Sequence, residues 1–445
     1  MKVKVISRNP DEYLRETKRD IHKVPRNYDP ALHPFEAPRE YVRALNATKL
    51  ERVFAKPFVG NLDGHRDGVS CLAKHPNRLS TLVSGAFDGE IRMWDIPQRT
   101  CLRHFVAHEG IVRGISFTPD GDTFITIGDD KTIKFWKSLC PQFGEHEEPI
   151  NTVLSKTVVT GISHHRSKQE FATCGEVCQL WEETRSEPIR TFKWGVDSLH
   201  DVAFNLVETN ILSACASDRS IIMYDTRDTG PIRKVVMNLK TNKLCWNPME
   251  AFIFTCANED YNLYTFDTRN LKHPTNIHMD HVAAVTDVDY APTGKEFVSG
   301  SYDKSVRIYE VHKGHSREIY HTKRMQRLTN VKWSLDNKYV LSASDEMNIR
   351  VWKARAAEKL GVLKPRERAA INYSEALKEK FASHPQIRRI ARHRQIPTHI
   401  YNAQKELRTI KDKLKRKESN RRAHSKPGAV PHVPERQKHI VKEHE

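Results

Sequence analysis

Two tetrapeptides of one kind stand 42 residues apart: Tyr224-Asp225-Thr226-Arg227 and Phe266-Asp267-Thr268-Arg269. An aromatic side chain anchors such a turn, and the carboxylate can accept from the N–H groups just after it. The arginine then offers a planar fork of donors that suits a partner's carboxylate or backbone. The local reading is a strand end in which Asp caps the turn and Arg pairs with Asp, a pair that adds little stability when exposed. A second chemistry lies in "KDKLKRKESNRRAHSK" (411–426), with Lys411, Lys413, Lys415, Arg416, Lys417, Arg421 and Arg422. On a helix, this density of cations lines a phosphate backbone and releases counterions as it docks. Such contact gives affinity without reading bases. The same run also reads as a nuclear-import signal.

Other chemistry is absent by pattern. The sequence has no G-x-x-x-x-G-K-[ST] phosphate loop, no H-E-x-x-H and no G-x-S-x-G. The 23 histidines are scattered, and the adjacent pair His164-His165 would face opposite sides of a strand. Eight cysteines (71, 101, 140, 174, 178, 215, 245 and 256) never stand as C-x-x-C, which argues for a reducing compartment and small buried side chains. We therefore expect no catalytic residue, no metal, no cofactor and no small-molecule substrate. No run of about 18 apolar residues predicts a membrane span, and the charged start lacks the apolar stretch of a secretory signal.

The elements that must position these groups repeat. Aromatic residues Trp94, Trp136, Trp181, Tyr224, Phe266, Tyr309 and Trp352 are spaced by 42, 45, 43, 42, 43 and 43 residues. Ahead of most of them apolar and polar residues alternate, as in Ile91-Arg92-Met93-Trp94 and Ile349-Arg350-Val351-Trp352. That period of two marks half-buried strands. Turn-rich stretches such as "FTPDGD" (117–122) and "YAPTGK" (290–295) precede them. Each unit is thus about four short strands joined by hairpins. The separation of the two tetrapeptides is one such unit, so the fold accounts for the recurring aromatic and Asp but not for the shared Arg.

This period and these units resemble the WD-repeat β-propeller family over roughly residues 56–353, with seven blades readable. The fold class expected is therefore all-β, a seven-bladed propeller. The resemblance implies a buried polar chain of His, Ser or Thr, Asp and Trp in each regular blade. His65, Ser84, Asp88 and Trp94 fit it, as do His108, Thr126, Asp130 and Trp136. His281, Ser299 and Asp303 fit it with Tyr309 in place of Trp. Elsewhere the pattern departs, with Glu346 at the turn position of the seventh blade and Cys256 at the hydroxyl position of the fifth. Those blades are expected to rely more on packing. The stretch "RVFAKPFVGNL" (52–62) is placed to close the ring with an outer strand for the last blade. The twin tetrapeptides are similar to the W-D-x-R motif of propellers that serve as receptors of cullin-RING ubiquitin ligases. That likeness assigns Tyr224, Asp225, Arg227, Phe266, Asp267 and Arg269 to binding a ligase adaptor.

The flanks differ from the repeat. Residues 1–51 form an N-terminal arm punctuated by Pro30, Pro34 and Pro38, with a short helix expected within 39–51. Either the arm is solvated, or it is an extended peptide that threads into an assembly and uses Tyr28, Phe35, Tyr41 and Val42. The propeller is expected over 52–353. From 354 to 445 helices are expected at 365–384, 385–394 and 397–422. The last has a narrow apolar stripe of Ile400, Ala403, Leu407, Ile410 and Leu414. After Lys426 a Pro-, Gly- and His-rich tail is expected to be flexible. Charge divides the same way: residues 353–445 hold 25 Lys and Arg against 10 Asp and Glu, while 53–352 hold 36 against 38. A near-neutral body with a basic tail points to a polyanionic partner.

The flanks and repeat together resemble, over essentially the full length, the Sof-type WD-repeat proteins of the nucleolus, including animal members also described as cullin-four-associated factors. The residues carrying this are "SRNPDEYLRETKRDIHKVPRNYDPALHPFEAPREYVRALNATKLERVFAKPF" before the repeat and "KARAAEKLGVLKPRERAAINYSEALKEKFASHPQIRRIARHRQIPTHIYNAQ" after it. The resemblance implies a non-catalytic scaffold of the small-subunit processome in the nucleus and nucleolus. Its implied partners are pre-rRNA, a box C/D small nucleolar ribonucleoprotein and other processome proteins. It implies as well a substrate-receptor role with a cullin-four ligase adaptor.

Overall fold

The computed structural model describes residues 35–138, 147–195 and 198–444. Tyr28, Pro30, Pro34 and Cys140, and with them the question of how most of the arm runs, lie outside the described residues. The chain divides into two compact units. One combines described residues up to Ala55 with Lys359–His393, and the other combines Lys56–Glu358 with the residues from Arg394 onward.

The larger unit contains seven antiparallel sheets, one per sequence repeat. Blade 1, for example, runs Val69–Lys74, Thr81–Ala86, Glu90–Asp95 and Thr100–Val106 from inside to outside. The innermost strands neighbour one another in a closed circuit, and the seventh is joined to the first. Closure uses Phe58–Leu62, which pairs antiparallel with Ile349–Lys353 as the outer strand of blade 7. This is the role the sequence placed at 52–62. The first and last strands of the propeller segment are thus locked into one sheet, which leaves the ring no open seam.

Adjacent blades bury their facing apolar side chains in separate clusters. Leu212, Ala214 and Tyr224 pack with Phe192 and Cys178 between blades 3 and 4. Trp246, Phe254, Tyr264 and Phe266 pack with Ile221, Met223 and Val235 between blades 4 and 5. Every described repeat aromatic from Trp94 to Trp352 is buried. That is why the 43-residue period keeps a large ring at one position per blade. Arginines on or beside the outer strand tie blades 1, 3, 4 and 6 to the next. Arg103 Nη1 donates to the Lys137 carbonyl at 2.8 Å, and Arg317 Nη2 donates to the Ala354 carbonyl at 2.8 Å.

The smaller unit is helical. Helix α1 (Glu36–Val53) packs with α2 (Pro365–Lys380) and α3 (Pro385–Ala391) around Ala44, Leu377 and Ile387. Proline opens α2 and α3 at the first position, where its missing N–H costs nothing. Cross-links include Tyr41 Oη to Gln386 Oε1 at 2.6 Å, Arg43 Nη1 to Tyr373 Oη at 3.1 Å, and Lys378 to Glu51 at 2.8 Å. Sequence reading treats the arm and the C-terminal helices as separate regions, whereas the structure makes α1, α2 and α3 one unit.

The last helix, α4 (Thr398–Ala423), belongs with the propeller. The flexible-tail expectation is also corrected. Glu435–His439 forms one helical turn, and Ile440–His444 adds to blade 4 as a fifth strand. The β-branched pair Ile440-Val441 and an available strand edge outweigh the Pro- and Gly-rich composition before it.

Candidate interaction sites on opposite faces of the propeller

The polar chains expected of regular blades are built to different degrees. In blade 2 the chain is complete. Trp136 Nε1 can only donate, and it donates to Thr126 Oγ1 at 3.0 Å. The Thr126 hydroxyl lies 2.8 Å from His108 Nε2, and His108 Nδ1 lies 3.0 Å from Asp130. Only one tautomer serves every member: Thr126 donates to Nε2, and the Nδ1 proton goes to Asp130. Burial keeps His108 below its ordinary pKa, with Asp130 pulling the other way.

Blade 6 keeps His281 to Ser299 at 2.7 Å and His281 to Asp303 at 2.8 Å. Its Tyr309 ring stacks on Phe297, and the buried hydroxyl takes no hydrogen bond from that chain. Burial opposes ionisation of Asp303, but His281 and Arg307 hold its carboxyl at about 2.

Blade 1 departs from expectation at Asp88. His65 Nε2 meets Ser84 Oγ at 2.6 Å, and Trp94 Nε1 donates to the same oxygen at 2.8 Å. Asp88 is exposed and accepts instead from the Glu90 N–H at 3.0 Å. The carboxylate nearest His65 Nδ1 is buried Glu90, 3.8 Å away and bound to Arg92 at 2.9 Å on its other oxygen. Burial and the Arg92 charge push His65 down to about 3.

The irregular blades do not rest on packing alone. Trp181 donates to Thr173 and Trp352 to Ser342, each at 2.8 Å. In blade 5 a different polar chain forms: His278 Nε2, on the blade's own outer strand, meets Thr265 Oγ1 at 2.8 Å, and Thr265 meets Thr255 at 2.9 Å. Glu346 of blade 7 pairs with Arg350.

The tetrapeptides end the third strands of blades 4 and 5, Ser220–Asp225 and Leu263–Asp267. Their aromatics are buried, 1% exposed at Tyr224 and 0% at Phe266, while the arginine side chains are 71% and 68% exposed. Each aspartate accepts from the backbone N–H of its arginine, at 2.9 Å for Arg227 and 3.0 Å for Arg269. Each arginine closes a fork onto the same carboxylate, with Nη2 at 2.8 Å and 2.7 Å. The arginine contact lowers both aspartates from their ordinary value and raises both arginines. Arg269 also lies over the Phe252 ring, 4.8 Å from its centre. The threonine carbonyls are gripped from the preceding blade, by Arg190 at 2.8 Å and Arg233 at 3.0 Å. The result is two pre-oriented guanidinium groups on consecutive blades.

The basic helix lies at the other face. In an antiparallel blade, links from third to fourth strand share one face, and links from fourth to next first strand share the opposite one. The tetrapeptides open the former. Helix α4 is held by the latter: Gln404 donates to the Asp280 carbonyl, and Arg394 Nη1 to the Asp280 carboxylate at 3.3 Å. Asp280 sits between blades 5 and 6, where His315 and Arg307 hold its carboxyl at about 2 against burial.

The stripe of α4 is engaged only in part. Ile400 is 1% exposed, Leu407 half-buried, and Ile410 and Leu414 are 54% and 59% exposed. Lys411, Lys413, Lys415, Arg416, Lys417 and Arg421 are exposed, whereas Arg422 is half-buried against Glu418 at 3.2 Å. Sequence reading grouped these seven together; the geometry separates Arg422 from the rest.

Inside the ring a cavity of about 340 Å³ is lined by the innermost strands. Lys74 pairs there with Asp289 at 2.7 Å and Lys243 with Asp201 at 3.4 Å. The alternation of the inner strands gives little sign of these pairs, and no sequence signal marked the cavity. Among the described residues no group of three or more His, Cys, Asp or Glu side chains could hold a metal ion, and no helix is long and apolar enough to cross a membrane.

Against known proteins, a model described as "Sof1-like domain" matches residues 354–440. The WD domain, G-beta repeat model matches 56–95, 99–137, 273–310 and 312–353, leaving out most of the irregular blades 3 to 5. The chain is 64% identical over 441 residues to DDB1- and CUL4-associated factor 13 of Gallus gallus, covering 99% of each. It is 61% identical over 441 residues to the Homo sapiens protein of that name, again covering 99% of each. To Protein SOF1 of Saccharomyces cerevisiae it is 44% identical over 465 residues, covering 99% of this chain and 94% of that protein.

Proposed function

The chain belongs to the family of Sof1-like WD-repeat proteins, and from that premise we propose that it is a non-catalytic scaffold subunit of the small-subunit processome. In this reading it works in the nucleus and nucleolus, on small-subunit pre-rRNA, with a box C/D small nucleolar ribonucleoprotein and other processome proteins. The observation that carries the reading is α4: a basic helix anchored by its N-terminal half to a rigid, near-neutral ring, with Lys411, Lys413, Lys415, Arg416, Lys417 and Arg421 exposed. A fixed helix loses little conformational entropy when phosphates dock, so its charges act together. The test replaces Lys411, Lys413, Lys415, Arg416, Lys417 and Arg421 by Gln in a chain carrying an independent import signal. Association with pre-rRNA particles should fall on gradient sedimentation. Unchanged co-sedimentation of the nuclear variant would reject the reading and leave the run as an import signal.

A second role is favoured by the exposed arginine pair: a substrate receptor of a cullin-four ubiquitin ligase, bound to its adaptor through Arg227 and Arg269. The relatives named as DDB1- and CUL4-associated factor 13 support it. The two roles use opposite faces and do not compete for surface. Changing both arginines to Ala should abolish adaptor co-purification while the propeller stays folded, and retained binding would dismiss the assignment.

A further inference from the structure

Among the described residues blade 4 alone has five strands. Its fourth strand, Pro231–Met237, has seven residues, as does Thr100–Val106 of blade 1. The blade 1 edge is uncovered, with Val106 71% exposed; on blade 4, Val236, at the register position of Val106, is half-buried. The covering strand is the chain's own Ile440–His444. It pairs antiparallel in the register Lys234 with His444, Val235 with Glu443, Val236 with Lys442 and Met237 with Ile440.

The approach to that edge is shaped as well. Asn238 donates through Nδ2 to the Lys438 carbonyl at 2.6 Å and through its backbone to His439 at 3.2 Å. The His439 ring meets the Tyr264 hydroxyl at 2.8 Å, and Ile440 packs against the apolar cluster shared by blades 4 and 5. The segment is nonetheless held by one short ladder, with Val441 59% exposed, and no helix or strand spans residues 424–434. Lys438 also pairs with Glu418 of α4 at 3.0 Å, so the segment ties the C-terminal half of that helix down.

We propose that the outer edge of blade 4 is a strand-acceptor site for an extended peptide carrying an imidazole followed by a β-branched apolar residue. The chain's own tail fills it in cis, and a partner strand of that pattern takes the place when the tail is displaced. An edge strand offers a full row of backbone donors and acceptors to any extended chain. Pockets for alternate side chains, here His439 on Tyr264 and Ile440 in the cluster, set the choice. Tethering gives the tail an effective concentration in the millimolar range, so it outcompetes a dilute free peptide. Displacement also removes the Lys438 contact and releases the last turns of α4. The inference rests on geometry alone and survives failure of either functional role.

The test uses a labelled peptide spanning 434–445 and a chain ending at Val433. Fluorescence anisotropy should show saturable binding to the shortened chain and none to the intact chain at the same concentration. Ile440→Asp in the peptide should weaken binding by at least about tenfold, because a charge would enter an apolar cluster. In the intact chain, Ile440→Asp should speed hydrogen exchange in 231–237 and in 414–423 while the other blades keep their protection. If the shortened chain unfolds, this exchange measurement decides alone. A folded shortened chain that ignores the peptide, or equal exchange in the two intact chains, overturns the proposal.

Discussion

Blades 2 and 6 differ instructively from blades 4 and 5. The first pair fix their inter-blade links with a buried imidazole held between a hydroxyl and an aspartate. The second pair lack that chain, substitute other contacts, and carry the paired arginines and the bound tail. The regular blades spend their polar residues on holding the repeat frame. The irregular ones are free of that pattern, and they bear the features that the frame does not require.

The largest effect should come from breaking a buried polar chain. Asp303→Ala leaves His281 Nδ1 and neighbouring donors without an acceptor in a buried site, and should cost about 2–4 kcal/mol. Urea denaturation checks it, and the exposed counterpart Asp88→Ala should cost no more than about 1 kcal/mol. A result in which the two cost the same would erase the distinction between blades 6 and 1.

Acid should act next. Burial holds His278 down to about 4 and His65 to about 3. In the unfolded chain both take a proton near 6.5, so the native state binds fewer protons in between. Their contribution is fully present above about pH 6.5. As pH falls toward 4 it is lost, at up to about 1.4 kcal/mol per pH unit for each group. Asp303, held at about 2, adds loss only below about pH 4. Denaturation midpoints at pH 7, 5.5 and 4.5 should therefore decline steadily, and His278→Gln should make the decline shallower.

The smallest effect on stability belongs to the rim. Arg227→Ala with Arg269→Ala should leave the urea midpoint essentially unchanged, since both pairs are exposed. Adaptor binding should nevertheless disappear. Arginine loss that destabilised the ring would make the pair structural and level the contrast with blades 2 and 6.

Much of the frame was legible because it depends on period. The 43-residue spacing of Trp94 through Trp352 specified blade number, and the position of 52–62 specified ring closure. Asp88 differs from expectation because residue spacing does not distinguish an exposed cap from a buried acceptor, and Glu90, two residues on, lies nearer His65. The tail differs from expectation because composition reports intrinsic preference, while strand addition depends on an edge supplied by residues some 200 positions earlier. Likewise Tyr41 and Ala44 gave no local sign of meeting Gln386 and Leu377. Arg227 and Arg269 are conspicuous in the sequence, because a repeated residue unneeded by the fold stands out against a regular background.

The proposed RNA contact lies at α4, on the face away from the paired arginines. The direct measurement is ultraviolet crosslinking in cells, with RNA-bound peptides mapped by mass spectrometry. The account predicts adducts concentrated between residues 405 and 421 and absent from 224–230 and 266–271. Adducts spread around the blade rims, or missing from α4 in a chain that still enters pre-ribosomal particles, would contradict it.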